Sequence, residues 1–425
     1  MDNKRTPQYQ IARAAQPARG FFWFICIAYA TQGIAQHFCL IAQPLDFYML
    51  KEMGKNAADV AAVLSVLMIP WMVKPIYGMV SDFLPLWGYR RKSYLTLAYG
   101  LGAAFYGAAA MTGSFNMLVG ALLLTATGMA IGTTIVNGLT LQVGRPTSEY
   151  RSYQSIQAVC YYLANIVSFL LGGLLCSKLL PGEALKTASL ISALPCSLTA
   201  VAAWKLIDEE KSTRQKFTTG TVFGVVREFK LRGLLVVAAF LCFWSFSPGF
   251  GTPLYFYETK VIGFSQLFIG QLGAINAFGM FCGAMIFKYA MDRKISPRLQ
   301  TVVSVLLGTV STLGYLWLND APTAIALELF RGIANIIAIL TLYGLASDVS
   351  PPKLESTTIA VLIAAYNIAE QFSNVIGAHL YTYTFSEAFA PLIVVSALMT
   401  LVCLAFVPFL PQRDLHLKAD PPLPE

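Results

Sequence analysis

The residues of this chain best suited to chemistry are the few ionisable and amide side chains that interrupt long apolar runs. Such groups are expensive in an apolar setting and persist where they bind, pair or move charge. Glu328 and Arg331 stand i, i+3 in the run 322–347, close enough to meet on one helix face. Two readings are open for them. One is a lock that ties this helix to its neighbours; the other is a guanidinium fork offered to an anionic small molecule, with Glu328 helping to couple charge. Glu370 lies mid-run between 355 and 383, beside Asn367, Gln371 and Asn374. A carboxyl group there can take up and release a proton, or serve as a hydrogen-bond partner to the preceding span. His37 is 16 residues into the run 21–49, roughly 24 Å along a helix. Gln32 and Gln36 share a face beside it, and such amides suit the edge of a heterocycle, although a lone histidine is more often a structurally satisfied imidazole than a ligand. Asn137, Tyr161, Tyr162, Trp244, Phe246 and Phe250 supply amide and aromatic surface that can stack a flat molecule or simply fill a core. Lys74, ahead of Pro75, falls about 12 Å from the end of its run, within snorkelling reach. Asp46 and Glu258 mark the far ends of two runs, as gate groups or as solvated charges.

These side chains need elements to carry them, and composition says which. Of 425 residues, 56% are hydrophobic and 12% charged, against about 25% charged in soluble domains, and mean hydropathy is +0.61. A disordered chain, a disulfide scaffold and a plain globular enzyme are excluded. The apolar runs are also far longer than the roughly 10-residue strands of a membrane β-barrel. Runs at 21–49, 58–83, 93–113, 116–143, 152–177, 186–206, 234–258, 265–287, 299–318, 322–347, 355–383 and 388–410 predict twelve membrane spans. The loops between them place 23 of the 30 Lys and Arg on one side and 5 on the other, with Lys74 and Arg331 inside spans. By the positive-inside rule both termini are cytoplasmic, so the net charge of +8 reports topology rather than nucleic-acid binding. The first span follows a basic tail without a small-residue cleavage site and reads as a retained helix. The eight cysteines form no CxxC pair and read as small core residues.

The polar stretch 207–233 divides the spans six and six. Within it Val222, Val225, Val226 and Phe229 recur at helical spacing opposite Arg227, Lys230 and Arg232, the pattern of a short interfacial helix or of a linker. The two halves repeat each other. Pro44, Leu45, Phe47, Tyr48, Lys51 and Gly54 return 209 residues later as Pro253, Leu254, Phe256, Tyr257, Lys260 and Gly263. Gly138, Leu139, Val143, Pro146 and Glu149 return at an offset of 206 as Gly344, Leu345, Val349, Pro352 and Glu355. Parallel six-helix repeats are the design of two-bundle carriers. Gly128-x-x-x-Gly132 and Gly279-x-x-x-Gly283 read as helix-packing contacts.

Between the second and third spans the chain carries Gly78, Ser81, Asp82, Pro85, Gly88, Tyr89, Arg90, Arg91 and Lys92 in close succession. Asp82 falls at a helix end near basic groups, and Gly78 permits close helix approach. Such a charge cluster either holds two bundles in one state and releases them in another, or only sets topology. It resembles the cytoplasmic loop motif of the major facilitator superfamily. The longer pattern Pro70-Trp71-x-x-Lys74-Pro75-x-x-Gly78-x-x-Ser81-Asp82-x-x-Pro85-x-x-Gly88-Tyr89-Arg90-Arg91-x-x-Tyr94 resembles the signature of the folate–biopterin transporter family. Thr252 to Tyr257, then Gly263-Phe264-Ser265 and Phe268-Ile269-Gly270, resemble that family's seventh and eighth spans. The resemblance implies a twelve-helix carrier of folates or pterins, often moving protons as well. One departure stands out: the family's fourth span usually carries an aspartate and, five residues on, a glutamate, where this chain has Asn137 and Gln142.

The expectation is an all-α polytopic membrane protein of twelve transmembrane helices in two pseudo-symmetric six-helix bundles, the major facilitator fold. It assigns a cytoplasmic tail to 1–20, bundles to 21–206 and 234–410, a cytoplasmic linker to 207–233 and a second tail to 411–425. The expected activity is secondary transport in an inner membrane, proton symport of a folate- or pterin-like or other flat organic anion by rocking of the bundles. The alternative is a major facilitator carrier for an unrelated metabolite, siderophore or drug. Candidate substrate contacts are His37, Gln36, Asn137, Tyr161, Arg331 and Asn367, and candidate coupling groups Glu370 and Glu328. Lys74, Gly78, Asp82, Gly88, Arg90 and Arg91 form the candidate gating motif. No P-loop, HExxH, Cys/His cluster or nucleophile elbow occurs, so no catalytic residue, cofactor or metal is assigned. The expected partners are a small-molecule substrate and the lipid bilayer, not nucleic acid.

Overall fold

The computed structural model describes residues 7–144, 150–209, 211, 231–291, 295–348 and 355–410. The amphipathic stretch 222–229, the C-terminal tail and the repeat residues Pro146, Glu149, Val349 and Pro352 lie outside these residues. Helices occupy all twelve expected spans, and no strand occurs among the described residues beyond an isolated bridge between Leu86 and Tyr89. Among the described residues eight helices are long and apolar enough to cross a membrane; the first, third, seventh and eleventh spans are not among them. Their sequences explain why. The third, α5 (Lys92–Met111), contains three tyrosines and three glycines, and the eleventh, α14 (Glu355–His379), carries Asn367, Glu370, Gln371 and Asn374.

The first and seventh spans are broken at the same register. The first comprises α1 (Pro7–Ala35) and α2 (Ala42–Phe47); the seventh comprises α9 (Leu231–Ser245) and α10 (Gly251–Phe256). Helices α2 and α10 both begin and end at the 209-residue offset of the sequence repeat. Each runs into a π-helical turn, Tyr48–Glu52 and Tyr257–Ile262, and then reaches a left-handed glycine, Gly54 at φ 63° and Gly263 at φ 80°. Glycine is needed at both positions because a Cβ penalises that region of backbone space.

A broken helix in hydrocarbon must find partners for the backbone groups it frees. In the first break Tyr106 of α5 donates its hydroxyl to the Ala35 carbonyl, and the Gln36 amide N–H bonds Gln32 O at 3.3 Å. In the second, Pro248 has no N–H to place. Gly249 N donates to Ser373 O at 3.0 Å, Ser373 donates its hydroxyl to Ser247 O, and Ser247 Oγ donates to Ser396 O at 2.7 Å. Proline and serines thus permit the break, and the crossing helices satisfy it.

The chain falls into two compact units, one of Met1–Thr218 with Tyr255–Ala274 and one of Thr219–Leu254 with Ile275–Glu425. In the first, α5 packs on α6 (Phe115–Gly144) and α8 (Pro181–Leu206), while α1 lies on α7 (Tyr150–Lys178) and α8. In the second, α12 (Pro297–Gly314) packs on α13 (Ala321–Asp348) and α15 (Phe389–Val402), and α9 packs on α14. Helix α11 (Gln266–Ile286) completes the set. Both small-residue motifs are crossings. A Cβ on Gly128 would overlap Ala98 O, and one on Gly279 would overlap Leu329 O, so backbones meet directly there.

Candidate functional site

In the first unit the break after α1 gathers polar side chains from five spans. The second span is itself interrupted, as α3 (Ala57–Met72) and α4 (Lys74–Phe83), with Pro70 and Pro75 flanking the join. Gln36 is buried and accepts from the Tyr161 hydroxyl at 3.4 Å, while Gln32 donates to Tyr99 at 3.2 Å. Tyr29 donates to Asn137 Oδ1 at 2.5 Å, joining the first and fourth spans. His37 is 4% exposed, and its buried Nδ1 has no hydrogen-bond partner among the described residues. Its ring lies 5.9 Å from that of Trp71, and Lys74 Nζ sits 4.7 Å from the centre of the same indole. Lys74 therefore rests on an aromatic face beside the helix break and makes no ion pair among the described residues. A cation held this way keeps its charge available to an incoming anion.

In the second unit Arg331 and Glu328 pair on α13. Arg331 Nη2 approaches Glu328 Oε2 at 2.6 Å and Nε at 3.2 Å. The other oxygen, Oε1, accepts the Tyr315 hydroxyl at 2.5 Å, and Asn276 Nδ2 donates to the Glu328 carbonyl at 3.1 Å. Both Glu328 oxygens are occupied, and the group joins α13 to α11 and to the turn after α12. Of the two readings the sequence left open, this geometry favours the lock.

Glu370 has a different setting. On α14 Tyr366 and Asn367 stand four and three residues before Glu370, so each neighbours it on the helix surface. A cavity of about 80 Å³ opens beside Tyr366 and Asn367, which line it together with Tyr343, Ile339 and three leucines. Among the described residues neither Glu370 nor Asn367 has a hydrogen-bond or ion-pair partner.

The charges at the outer ends of spans one and seven are not solvated. Glu258 is 5% exposed, and Asp46 Oδ1 is buried without a hydrogen-bond partner among the described residues. Close by, Gln43 Nε2 donates to Gln266 O at 2.7 Å, and Tyr255 donates to Gln266 Oε1 at 3.0 Å.

The loop motif is a tight turn. Leu86 and Tyr89 exchange backbone hydrogen bonds at 3.0 and 2.9 Å across Trp87 and Gly88, whose φ values are 52° and 84°. Gly78 on α4 leaves ordinary contact distance to Thr134 of α6. Arg91 donates to Ser81 Oγ at 2.9 Å, and its guanidinium lies against Gly138 of α6. Asp82 occupies the last turn of α4, but its side chain is outside the described residues. The carboxylate that organises the loop is Glu209, beyond the sixth span. It accepts the backbone N–H of Arg90 at 2.8 Å, Arg91 at 3.0 Å and Lys92 at 2.8 Å, at the N-terminus of α5. In sequence Glu209 is one of a run of charges, Asp208 to Lys211, and the only hint was its place just past a helix end.

The broken first and seventh spans, the repeat and the helical crossings define a carrier of the major facilitator class. Solved structures agree. A point mutant of the nucleoside transporter NupG superposes with a TM-score of 0.73 at 12% identity, covering 92% of this chain and 99% of its own. A D-xylose–proton symporter gives 0.68 at 12% identity over 94% and 98%. The chain belongs to the BT1 family, which it matches over residues 32–420. It is 26% identical over 398 residues to a folate-biopterin transporter of Synechocystis sp. (strain ATCC 27184 / PCC 6803 / Kazusa), covering 88% of this chain and 79% of that one. It is 22% identical over 387 residues to folate transporter 1 of Plasmodium falciparum (isolate 3D7), covering 86% and 75%. It is thus an integral membrane transporter and not an enzyme, as the loop residues implied.

Proposed function

We propose that this chain is a secondary carrier of a folate- or pterin-like flat organic anion, linked to proton movement and working by rocking of residues 21–206 against 234–410. The observation that carries the substrate reading is the family match over nearly the whole length, since the relatives named above are folate and folate-biopterin transporters. The asymmetry of Lys and Arg between the loops supports a bacterial-type inner membrane orientation with both termini cytoplasmic. Lys74 supports the anion part: it is a cation at a helix break with no carboxylate beside it among the described residues, whereas Arg331 is already engaged by Glu328. Glu370 supports the proton part, as an intramembrane carboxyl with no cation beside it among the described residues.

The test is uptake of labelled folate and pterin into liposomes containing the purified protein, with and without an imposed pH gradient. The expected result is uptake above that of empty liposomes, responsive to the gradient, with the response lost in Glu370→Gln. Failure to accumulate either compound would remove the substrate reading and leave a carrier of some other metabolite. Uptake indifferent to the gradient would remove the proton linkage.

A further inference from the structure

From the Tyr343–Tyr366–Asn367 cavity and the carboxyl group one helical turn beyond two of its lining residues, we infer that Glu370 reads the 2-amino-4-oxo edge of a pterin ring seated there. The inference rests on the folate or pterin reading above and names the side chains that would carry its specificity. Three observations lead to it. The first is the cavity, whose walls are two tyrosines, three leucines, Ile339 and Asn367, a mostly apolar slot. At about 10–15 Å³ per water, its volume of about 80 Å³ admits roughly five to eight waters. Their share of liquid volume, about 30 Å³ each, is on the scale of a two-ring heterocycle. The second is the position of Glu370 on α14, three residues beyond Asn367 and four beyond Tyr366, where it neighbours each on the helix surface. The third is the lack of any donor to Glu370 or Asn367 among the described residues, although a carboxylate inside a span is stable only with donors or a cation around it.

The ring edge supplies what the protein does not. A 2-amino-4-oxopteridine presents N3–H and one N–H of the 2-amino group side by side, two parallel donors. A carboxylate presents two acceptors in one plane at matching spacing, the same complementarity that makes arginine–carboxylate pairs bidentate. Asn367, three residues earlier, offers both a donor and an acceptor to the 4-oxo side of the ring. A proton on Glu370 and the ring edge compete for the same two oxygens, so recognition and proton linkage fall on one group.

Replacing the 2-amino group by oxygen turns one donor into an acceptor. A carboxylate repels that edge, whereas a glutamine amide matches it, accepting from N3–H and donating to the 2-oxo oxygen. The experiment is equilibrium binding of labelled 2-amino-4-oxopteridine and 2,4-dioxopteridine to the purified full-length protein, for the parent, Glu370→Gln and Glu370→Asp. The parent should prefer the amino ring by about ten- to a hundredfold, the discrimination of one good bidentate pair. Glu370→Gln should invert the preference, and Glu370→Asp, which keeps both acceptors, should retain it with weaker binding of each ring. If the parent binds neither ring, the folate or pterin reading falls and this inference with it. If the parent binds the amino ring but Glu370→Gln weakens both rings alike, the edge assignment is overturned and the substrate reading stands. Should Glu370→Gln fail to fold, loss of the preference in Glu370→Asp overturns the assignment by itself.

Discussion

Replacing Glu209 by alanine tests how the cytoplasmic loop is held. The carboxylate accepts three successive backbone N–H groups, those of Arg90, Arg91 and Lys92, at 2.8 to 3.0 Å. These are among the N–H groups that a helix start leaves without intrahelical acceptors. Losing a capping acceptor costs about 0.5–2 kcal/mol, and losing a negative charge at a helix N-terminus costs roughly a further 0.3–1 kcal/mol. Together these give about 1–3 kcal/mol of local stability, or roughly a five- to hundredfold rise in the local opening equilibrium, a factor of ten being about 1.4 kcal/mol. Hydrogen exchange of the loop peptide reads this directly: the amides of Arg90 to Lys92 should exchange faster by that factor in Glu209→Ala. Glu209→Gln should fall between, because its amide keeps one acceptor and turns a donor toward the remaining N–H groups. Asp208→Ala is the control, since Asp208 is exposed and makes no contact with the loop among the described residues. Unchanged protection in Glu209→Ala, or an equal loss in Asp208→Ala, would refute the clamp. Because Arg91 is positioned to bond Ser81, the same substitution should also slow transport.

Gly377→Ala should lower the melting temperature in detergent, since its Cβ would overlap Gly249 O at the break of the seventh span. Overpacking of that kind costs about 1–3 kcal/mol or more, while Gly344→Ala, with nothing within 4 Å, should be neutral. Lys74→Gln should weaken binding of an anionic substrate severalfold and Lys74→Arg should retain it; equal affinity in Lys74→Gln would return the residue to a purely structural role. Arg331→Lys should reduce thermal stability, because the fork to Glu328 is lost, and leave substrate affinity unchanged. Reduced affinity at unchanged stability would make Arg331 the anion site instead.

What the sequence made legible is what is local or periodic. Apolar runs located the twelve spans, and the Gly128 and Gly279 motifs marked two backbone crossings because small residues at i, i+4 have few other uses in hydrocarbon. The 209-residue repeat carried more than family likeness: it set the register at which two spans break and restart. Partnership was not legible. Glu209 lies 117 to 119 residues from the amides it binds, inside a run of charges that resembles any solvated linker. The Glu328–Arg331 pair was visible from spacing, but Tyr315, which takes the second oxygen and removes Glu328 from circulation, was not. Lys74 was placed near the membrane boundary by counting residues, yet its position is decided by the Trp71 indole on the other side of the helix break. In each case the missing information is which element crosses which, and hydropathy along one strand of sequence does not contain it.

The amides of the fourth span bear on where a proton can be handled. At position 137 the Tyr29 hydroxyl donates to an oxygen, a bond that a carboxylate would accept equally well. Asparagine therefore keeps the tie between the first and fourth spans while removing the titratable group. Gln142 is exposed near the end of α6, where its side chain has no such packing role to preserve. With both positions neutral, a proton-linked cycle would draw on Asp46 and Glu258 at the outer ends of spans one and seven or on the two carboxyl groups deeper in the second half. Glu328 is held by Arg331 and Tyr315, so protonating it would break an ion pair and strand a guanidinium in the span. Glu370 has neither obstacle: it stands one helical turn beyond two residues that line the cavity, and no cation depends on its charge among the described residues. A carboxyl group without an ion pair among the described residues can change its charge without unlocking the helices around it, which is what the proposed proton linkage requires of Glu370.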